Sequence, residues 1–326
     1  MSTTRPESRT GASPIPLQPD ADGAHRGSPD NGKPRRGARL GDGPFALLLM
    51  LPGLALLAAI VLYPLVASLV TAFFKQSLVV PGRTFVGLDN VTDILKGDAW
   101  QLLHQTLVFA TGSTLAPFVV GFGLALALNT GIRGQRVLRG LFLIPWLVPG
   151  VVVSFLWSWI FNANYGVANA ILQGLGIIDV PQAWLASPAT SMAALIIAKT
   201  WASFAWIMVM LIAGLQTVPV ELHEAAEMDG AGPIRRFATV TVPHMRALIG
   251  IVLLLEFIWN FQHFDIIYVL TGGGPAGTTS TFATAVYETA FKALDLGRAS
   301  AIGLIWMVLL LLLVVVYVRS ADQEAR

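Results

Sequence analysis

Residues 45–74 read FALLLMLPGLALLAAIVLYPLVASLVTAFF, thirty positions without one acidic or basic side chain. A run this long exceeds the roughly 20 residues an α-helix needs to cross about 30 Å of hydrocarbon. It is also too long for the apolar region of a cleaved signal, and no small-residue cleavage site precedes the next polar segment. The stretch therefore reads as a membrane helix. Outward from it, five further apolar blocks lie at 102–128, 141–161, 192–215, 247–270 and 299–318. None shows the alternation of a membrane barrel, and lipid tolerates no unpaired backbone, so each block is helical. The expectation is an all-α polytopic membrane protein with six transmembrane helices. Composition agrees: 55% of residues are hydrophobic, 12% are charged, and mean hydropathy is +0.67, well outside what a soluble chain exposes to water.

Residues 1–43 differ in kind from the rest of the chain. They are rich in Ser, Pro, Gly, Asp and Arg, with too few large apolar side chains to offset ordering entropy, and read as a disordered tail ahead of a membrane domain over 44–326. Lys and Arg distribute unevenly about the spans. The side holding the tail, the second and fourth loops and the C-terminus carries 15 of them, the opposite side 5, and Lys199 lies within a span. By the positive-inside bias both termini are cytoplasmic. The chain has no cysteine, which excludes disulfides and thiol chemistry, and its five histidines are scattered. A net charge of +2, with basic residues at span edges, gives no footprint for nucleic acid.

That orientation puts the loop 216–246 in the cytoplasm. Its first part, residues 216–233, reads QTVPVELHEAAEMDGAGP. Val220 to Met228 are mostly helix formers, Pro219 suits a helix start, Gly230 and Gly232 suit a stop, and a second short helix can begin at Pro233. Ala225 and Ala226 permit close approach by another surface, while Glu221, Glu224 and Asp229 offer carboxylates to a basic partner. An isolated Glu-Ala-Ala followed by Asp-Gly would be an ordinary surface helix; its place between the fourth and fifth of six spans changes that reading.

Glu224-Ala225-Ala226, Asp229-Gly230-Ala231, Phe237, Val240 and Pro243 resemble the loop signature of importer permeases of the ATP-binding-cassette (ABC) superfamily. Phe85 to Asn90, Ile144-Pro145, and Tyr268 to Pro275 with its triple glycine narrow the resemblance to carbohydrate permeases of the maltose and glycerol-phosphate type. The resemblance implies a type I importer permease fold. It also implies that the loop is a coupling helix seated in an ATPase subunit, with Glu224 and Gly230 its leading members. The implied partners are a second permease subunit, two cytoplasmic ATPase subunits that bind Mg-ATP, and an extracytoplasmic solute-binding protein; the cargo is a sugar, a di- or oligosaccharide. No cofactor or metal is expected in this chain, and no Gly-x-x-x-x-Gly-Lys-Ser/Thr loop occurs in it, so hydrolysis falls to a partner and the chain is no enzyme. The triple glycine reads as a turn leaving the membrane.

Polar side chains inside apolar spans mark a bundle interior or a wet cavity. Lys199, Ser203 and Trp206 share one face of the fourth block, and Glu256, Asn260 and His263 repeat that spacing in the fifth. By resemblance these positions line a sugar site, where hydrogen-bonding groups meet hydroxyls and an aromatic face meets the ring. A second reading stays open: the same groups bond across the bundle, a Lys199 to Glu256 ion pair being its concrete form. Gln262 faces elsewhere. Glu256, His263 and Asp265 also admit a different class, an ion-coupled secondary transporter. Their spacing carries neither a metal set nor a Ser-His pair, which leaves a membrane enzyme without support.

Overall fold

The computed structural model describes residues 42–130 and 133–324. The expected tail lies almost wholly outside the described residues. Contacts divide the chain into a unit ending at Leu56 and a unit from Leu57 onward. Helix α1 (Asp42–Leu57) passes through a π-helical turn, Ala58–Leu62, into α2 (Tyr63–Thr71), and the apolar helical run Leu49–Thr71 is long enough to span.

The remaining chain is a helical bundle with one small hairpin. Strands β1 (Phe74–Gln76) and β2 (Arg83–Phe85) pair antiparallel, with Phe74 opposite Phe85 and Gln76 opposite Arg83. Helix α3 (Asp89–Lys96) leads to the long α4 (Ala99–Leu128), followed by α5 (Gln135–Leu147), α6 (Gly150–Ile160) and the short α7 (Val167–Gly174). Helix α8 (Ser191–Leu215) is the most buried span. Two short helices, α9 (Val220–Met228) and α10 (Pro233–Arg236), connect it through the π-helical turn Phe237–Thr241 to α11 (Val242–Phe261). The chain closes with α12 (Asp265–Leu270), α13 (Phe282–Tyr287) and α14 (Leu296–Glu324).

The core lies where α4, α8 and α11 meet, around Ile207, Met208, Leu211, Met245 and Val252. Glycine permits the closest approach: a β-carbon on Gly121 of α4 would lie 2.8 Å from the Phe204 carbonyl of α8. At the end bearing the first turn of α4, a loop after α12 is tied down by Gln101 donating to the Gly277 carbonyl (3.2 Å) and by the Ser191 and Thr278 hydroxyls (3.4 Å). The triple glycine serves this loop as a turn, with Gly272 and Gly273 both at positive φ. Asn90 donates to the carbonyls of Ala72 and Phe74, fixing the hairpin at the same end.

Two of the expected spans contain breaks. The block 141–161 is not one straight helix: α5 and α6 meet at 94°. Pro149 disfavours helix at the residue before it, Val148 is accordingly extended, and Pro145 has already removed a donor. The block 247–270 is not continuous either. Helix α11 starts earlier, ends at Phe261, and α12 resumes at Asp265, since Asn, Phe, His and Asp, which dominate 260–265, are weaker helix formers than the Leu and Ala before them.

Candidate functional site

Two constellations emerge at opposite ends of α8 and α11. The first is a cavity of about 210 Å³ among α5, α6, α8, α11 and α12. Lys199, Ser203, Trp206, Glu256 and His263 all line it, joined by Asp265. Five of the six residues of the two stripes read from the sequence thus face one space, Asn260 being the exception. The 94° bend brings Trp146, Val148 and Gly150 into the same wall, and Asp265 packs against Gly150, where a β-carbon would lie 3.4 Å from its Oδ2. Trp259 completes an aromatic corner with Trp206, rings edge to face at 5.0 Å.

Inside this wall Glu256 is only 2% exposed, with Ser203 and Asn260 beside its carboxyl and Lys199 acting on it electrostatically. Among the described residues the ion pairs within 4 Å are Arg236–Glu227, Lys292–Glu288 and Arg298–Asp98, so no direct Lys199–Glu256 pair forms. Lys199 instead sits in the field of both Glu256 and Asp265. His263 stacks on Phe109 and keeps its Nε2 buried without a hydrogen-bond partner among the described residues.

Asn260 departs from the others. It is 1% exposed and outside the cavity wall; its Nδ2 donates to the Ser113 carbonyl of α4 (2.8 Å) and lies near Thr114 Oγ1 and Glu256 Oε1. The residue four after Ser113 is Pro117, which has no N–H to give that carbonyl. Asn260 supplies the missing donor from a neighbouring helix, the means by which membrane helices accommodate proline. Trp146, Val148, Gly150 and Trp259 are among the wall residues that spacing arguments missed, with Ala202 and Ile266. Trp259 is offset from the expected stripe by one position, beside Asn260, and Trp146 and Gly150 enter only through the bend.

The second constellation is the α9–α10 hairpin. Pro219 stands just before α9, and Gly230 ends it at φ +75°. Gly230 N–H donates to Glu227 O and Ala231 N–H to Ala226 O, the paired bonds of a Schellman stop. Arg236 reaches back to Glu227 at 2.6 Å, closing the hairpin. Glu224, Ala225 and Asp229 are exposed, Ala226 is half-buried, and Ala231 is buried. Around them stand bare apolar side chains, Met228 at 87% and Ile234 at 84% exposure. Phe237 packs against Phe122 of α4, ring centroids 5.5 Å apart and tilted by 55°, tying the hairpin to the bundle, while Pro243 is exposed in the first turn of α11.

A bundle of apolar helices with a cavity lined in part by charged and polar side chains, and an exposed helical hairpin at the other end, fits a membrane transport subunit. The chain belongs to the binding-protein-dependent transport system inner membrane component family, which matches residues 119–323, and it is thus a permease component of the inner membrane. It is 35% identical to the sulfoquinovosyl glycerol transport system permease protein of Agrobacterium fabrum, over 86% of this chain and 91% of that one. It is 34% identical to the trehalose/maltose transport system permease protein of Thermococcus litoralis, over 83% and 92%. In fold it is similar to a chain of a bacterial ABC transporter involved in import of the acidic polysaccharide alginate, with a TM-score of 0.75 at 19% identity, covering 86% of this chain and 96% of that one.

Proposed function

We propose that this chain is one permease subunit of an ATP-driven, binding-protein-dependent importer whose cargo is a sugar, a di- or oligosaccharide. The observation that carries the reading is the α9–α10 hairpin: a capped, salt-bridged element that presents Glu224, Ala225 and Asp229 with Met228 and Ile234 to a partner. On this reading both termini and the hairpin are cytoplasmic, and α9 docks in an ATPase subunit that binds Mg-ATP. The other partners are a second permease, a second ATPase copy and an extracytoplasmic solute-binding protein. Lys199, Ser203, Trp206, Glu256 and His263 line this chain's share of the cargo path, with hydrogen-bonding groups for hydroxyls and the Trp206–Trp259 corner for a sugar face. Asn260 belongs to the support of that wall. The relatives named above are transport-system permeases for sulfoquinovosyl glycerol and for trehalose/maltose, which is the support for a sugar here.

An ion-coupled carrier built on Glu256, His263 and Asp265 would leave the hairpin without a role, and the family runs against it. The test is co-purification of the ATPase with the intact chain and with a Glu224→Lys, Gly230→Pro variant. Loss of the ATPase from a variant that still inserts supports the reading. Absence of any ATPase with the intact chain overturns it.

A further inference from the structure

The segment after α6 contains an element that transport does not explain. Between Arg139 and Lys199 the chain carries a single charged side chain, Asp179. Within this stretch α7 is held firmly by its polar face. Asn169 is buried and bonded on every side: its Nδ2 donates to the Asn162, Ala163 and Gln182 carbonyls, and its Oδ1 accepts from Gln182 N–H and Trp184 Nε1–H (2.8 Å). Gly166, just before the helix, lies so close to the Asn162 and Ile160 carbonyls that a β-carbon would fall 2.3 and 2.5 Å from them. The C-terminus is closed as tightly, by Gly176 N–H to Gln173 O and Ile177 N–H to Leu172 O.

What this mounting presents outward is mostly apolar, with Gln173 the exposed polar side chain of α7, donating to the Asp179 carbonyl. Val167, Ile171 and Leu175 recur at i, i+4 and i+8, all more than half exposed, with Ala170 and Gly174 beside them and Ile177 and Val180 beyond. The stripe continues the bare face of α6, formed by Val152, Phe155 and Trp159, and Tyr165 stands exposed between the two helices. Trp and Tyr at such a junction are the side chains that favour the boundary between headgroups and acyl chains. Helix α5 is 13 residues long, so at 1.5 Å per residue it rises about 20 Å, short of the roughly 30 Å of hydrocarbon, before the 94° bend into α6.

We propose that α7 is an interfacial anchor, lying in the membrane surface with Val167, Ile171 and Leu175 among lipid acyl chains and Asn169 facing the protein. Its occupant is lipid because the surface it extends is the apolar face of a spanning segment and because the stripe carries no charge for a protein partner to match. The consequence is positional: α7 fixes the depth of α6, whose Gly150 belongs to the cavity wall.

The chain has no cysteine, so single-cysteine spin labels can be placed directly. Ile171→Cys, Leu175→Cys and Asp179→Cys would be labelled in the transporter as assembled in native membranes, with accessibility to oxygen and to a water-soluble nickel chelate compared. The expected result is oxygen dominating at 171 and 175 and the order reversing at 179. Nickel dominating at 171 and 175 would place the stripe in water and overturn the proposal. Protection from both reagents would overturn it in favour of a protein neighbour. Val167→Cys, on the same stripe, repeats the measurement if either label disturbs insertion. None of these outcomes depends on the ATPase or on the cargo.

Discussion

Asn260 shows how a side chain singled out by spacing can have a partner that spacing does not reveal. Its place one turn beyond Glu256 makes it look like a cargo contact, but the carbonyl it serves was orphaned by Pro117, far away in sequence on α4. Nothing local to either residue announces the pairing; only the fold brings them together. The consequence is a thermodynamic coupling. Replacing Asn260 by Leu removes the donor and should cost about 0.6–2 kcal/mol, the range found for interhelical hydrogen bonds in membranes. In a Pro117→Ala background residue 117 regains an N–H for Ser113, so the same Asn260→Leu change should cost clearly less. Thermal melting of the four detergent-solubilised proteins gives the cycle, and equal losses in both backgrounds would mean that the proline and the asparagine are unconnected. Lys199, Ser203 and Trp206 were legible as neighbours because they share one face of α8, and helices that pack in lipid turn polar faces toward each other; His263 reaches the same space from the break between α11 and α12.

Among the elements, long straight helices were the easiest to read and their breaks the hardest. The blocks at 102–128 and 192–215 nearly coincide with α4 and α8, because uninterrupted apolar length is a direct consequence of bilayer thickness. The break at Val148 was not read although Pro145 and Pro149 stand in plain view: proline within a membrane helix is compatible with a mild kink or a sharp turn, and the choice depends on what packs in the bend, here Asp265. The stop of α9 was legible, since Asp-Gly followed by Gly-Pro admits few alternatives. Gly230 at φ +75° tests it: Gly230→Ala should cost about 1–2 kcal/mol of left-handed strain, loosening the hairpin and lowering ATPase co-purification while the bundle's melting temperature stays near that of the parent. The contact between α4 and α8 gives a paired comparison. A β-carbon at Gly121 meets the Phe204 backbone carbonyl at 2.8 Å, whereas at Gly112 it meets the tip of Ile196 at 2.5 Å, which can rotate away. Gly121→Ala should therefore destabilise by about 1–3 kcal/mol, the cost of overpacking, and Gly112→Ala by distinctly less, despite its shorter distance. Urea or thermal unfolding of the two variants decides it, and the reverse ranking would show the α4–α8 backbones free to separate.

At the scale of the molecule, the proposed function requires the cavity and the hairpin to communicate, and α8 and α11 are the helices that join them. Helix α11, with 20 residues at 1.5 Å each, spans about 30 Å between Val242 beside the hairpin and Phe261 beside the cavity. Helix α8 runs alongside, and near the hairpin end Gly214 lets it close on Met245 and Leu248 of α11; a β-carbon there would lie 2.8 and 2.3 Å from their side-chain tips. Three variants then separate three functions. Ser203→Val strips a hydroxyl from the cavity wall and should lower uptake strongly while ATPase subunits still co-purify and hydrolyse ATP. Glu224→Lys reverses charge on the hairpin and should lose the ATPase, with the bundle still folded. Gly214→Leu wedges α8 from α11 without touching either end, and should leave the ATPase bound and the cavity intact while hydrolysis no longer scales with uptake. Uptake by vesicles, hydrolysis and co-purification measured on the same preparations distinguish these patterns. If all three variants lowered all three readouts in proportion, the ends would not be joined by a packed pair of helices that can shift, and coupling would have to run through another part of the bundle.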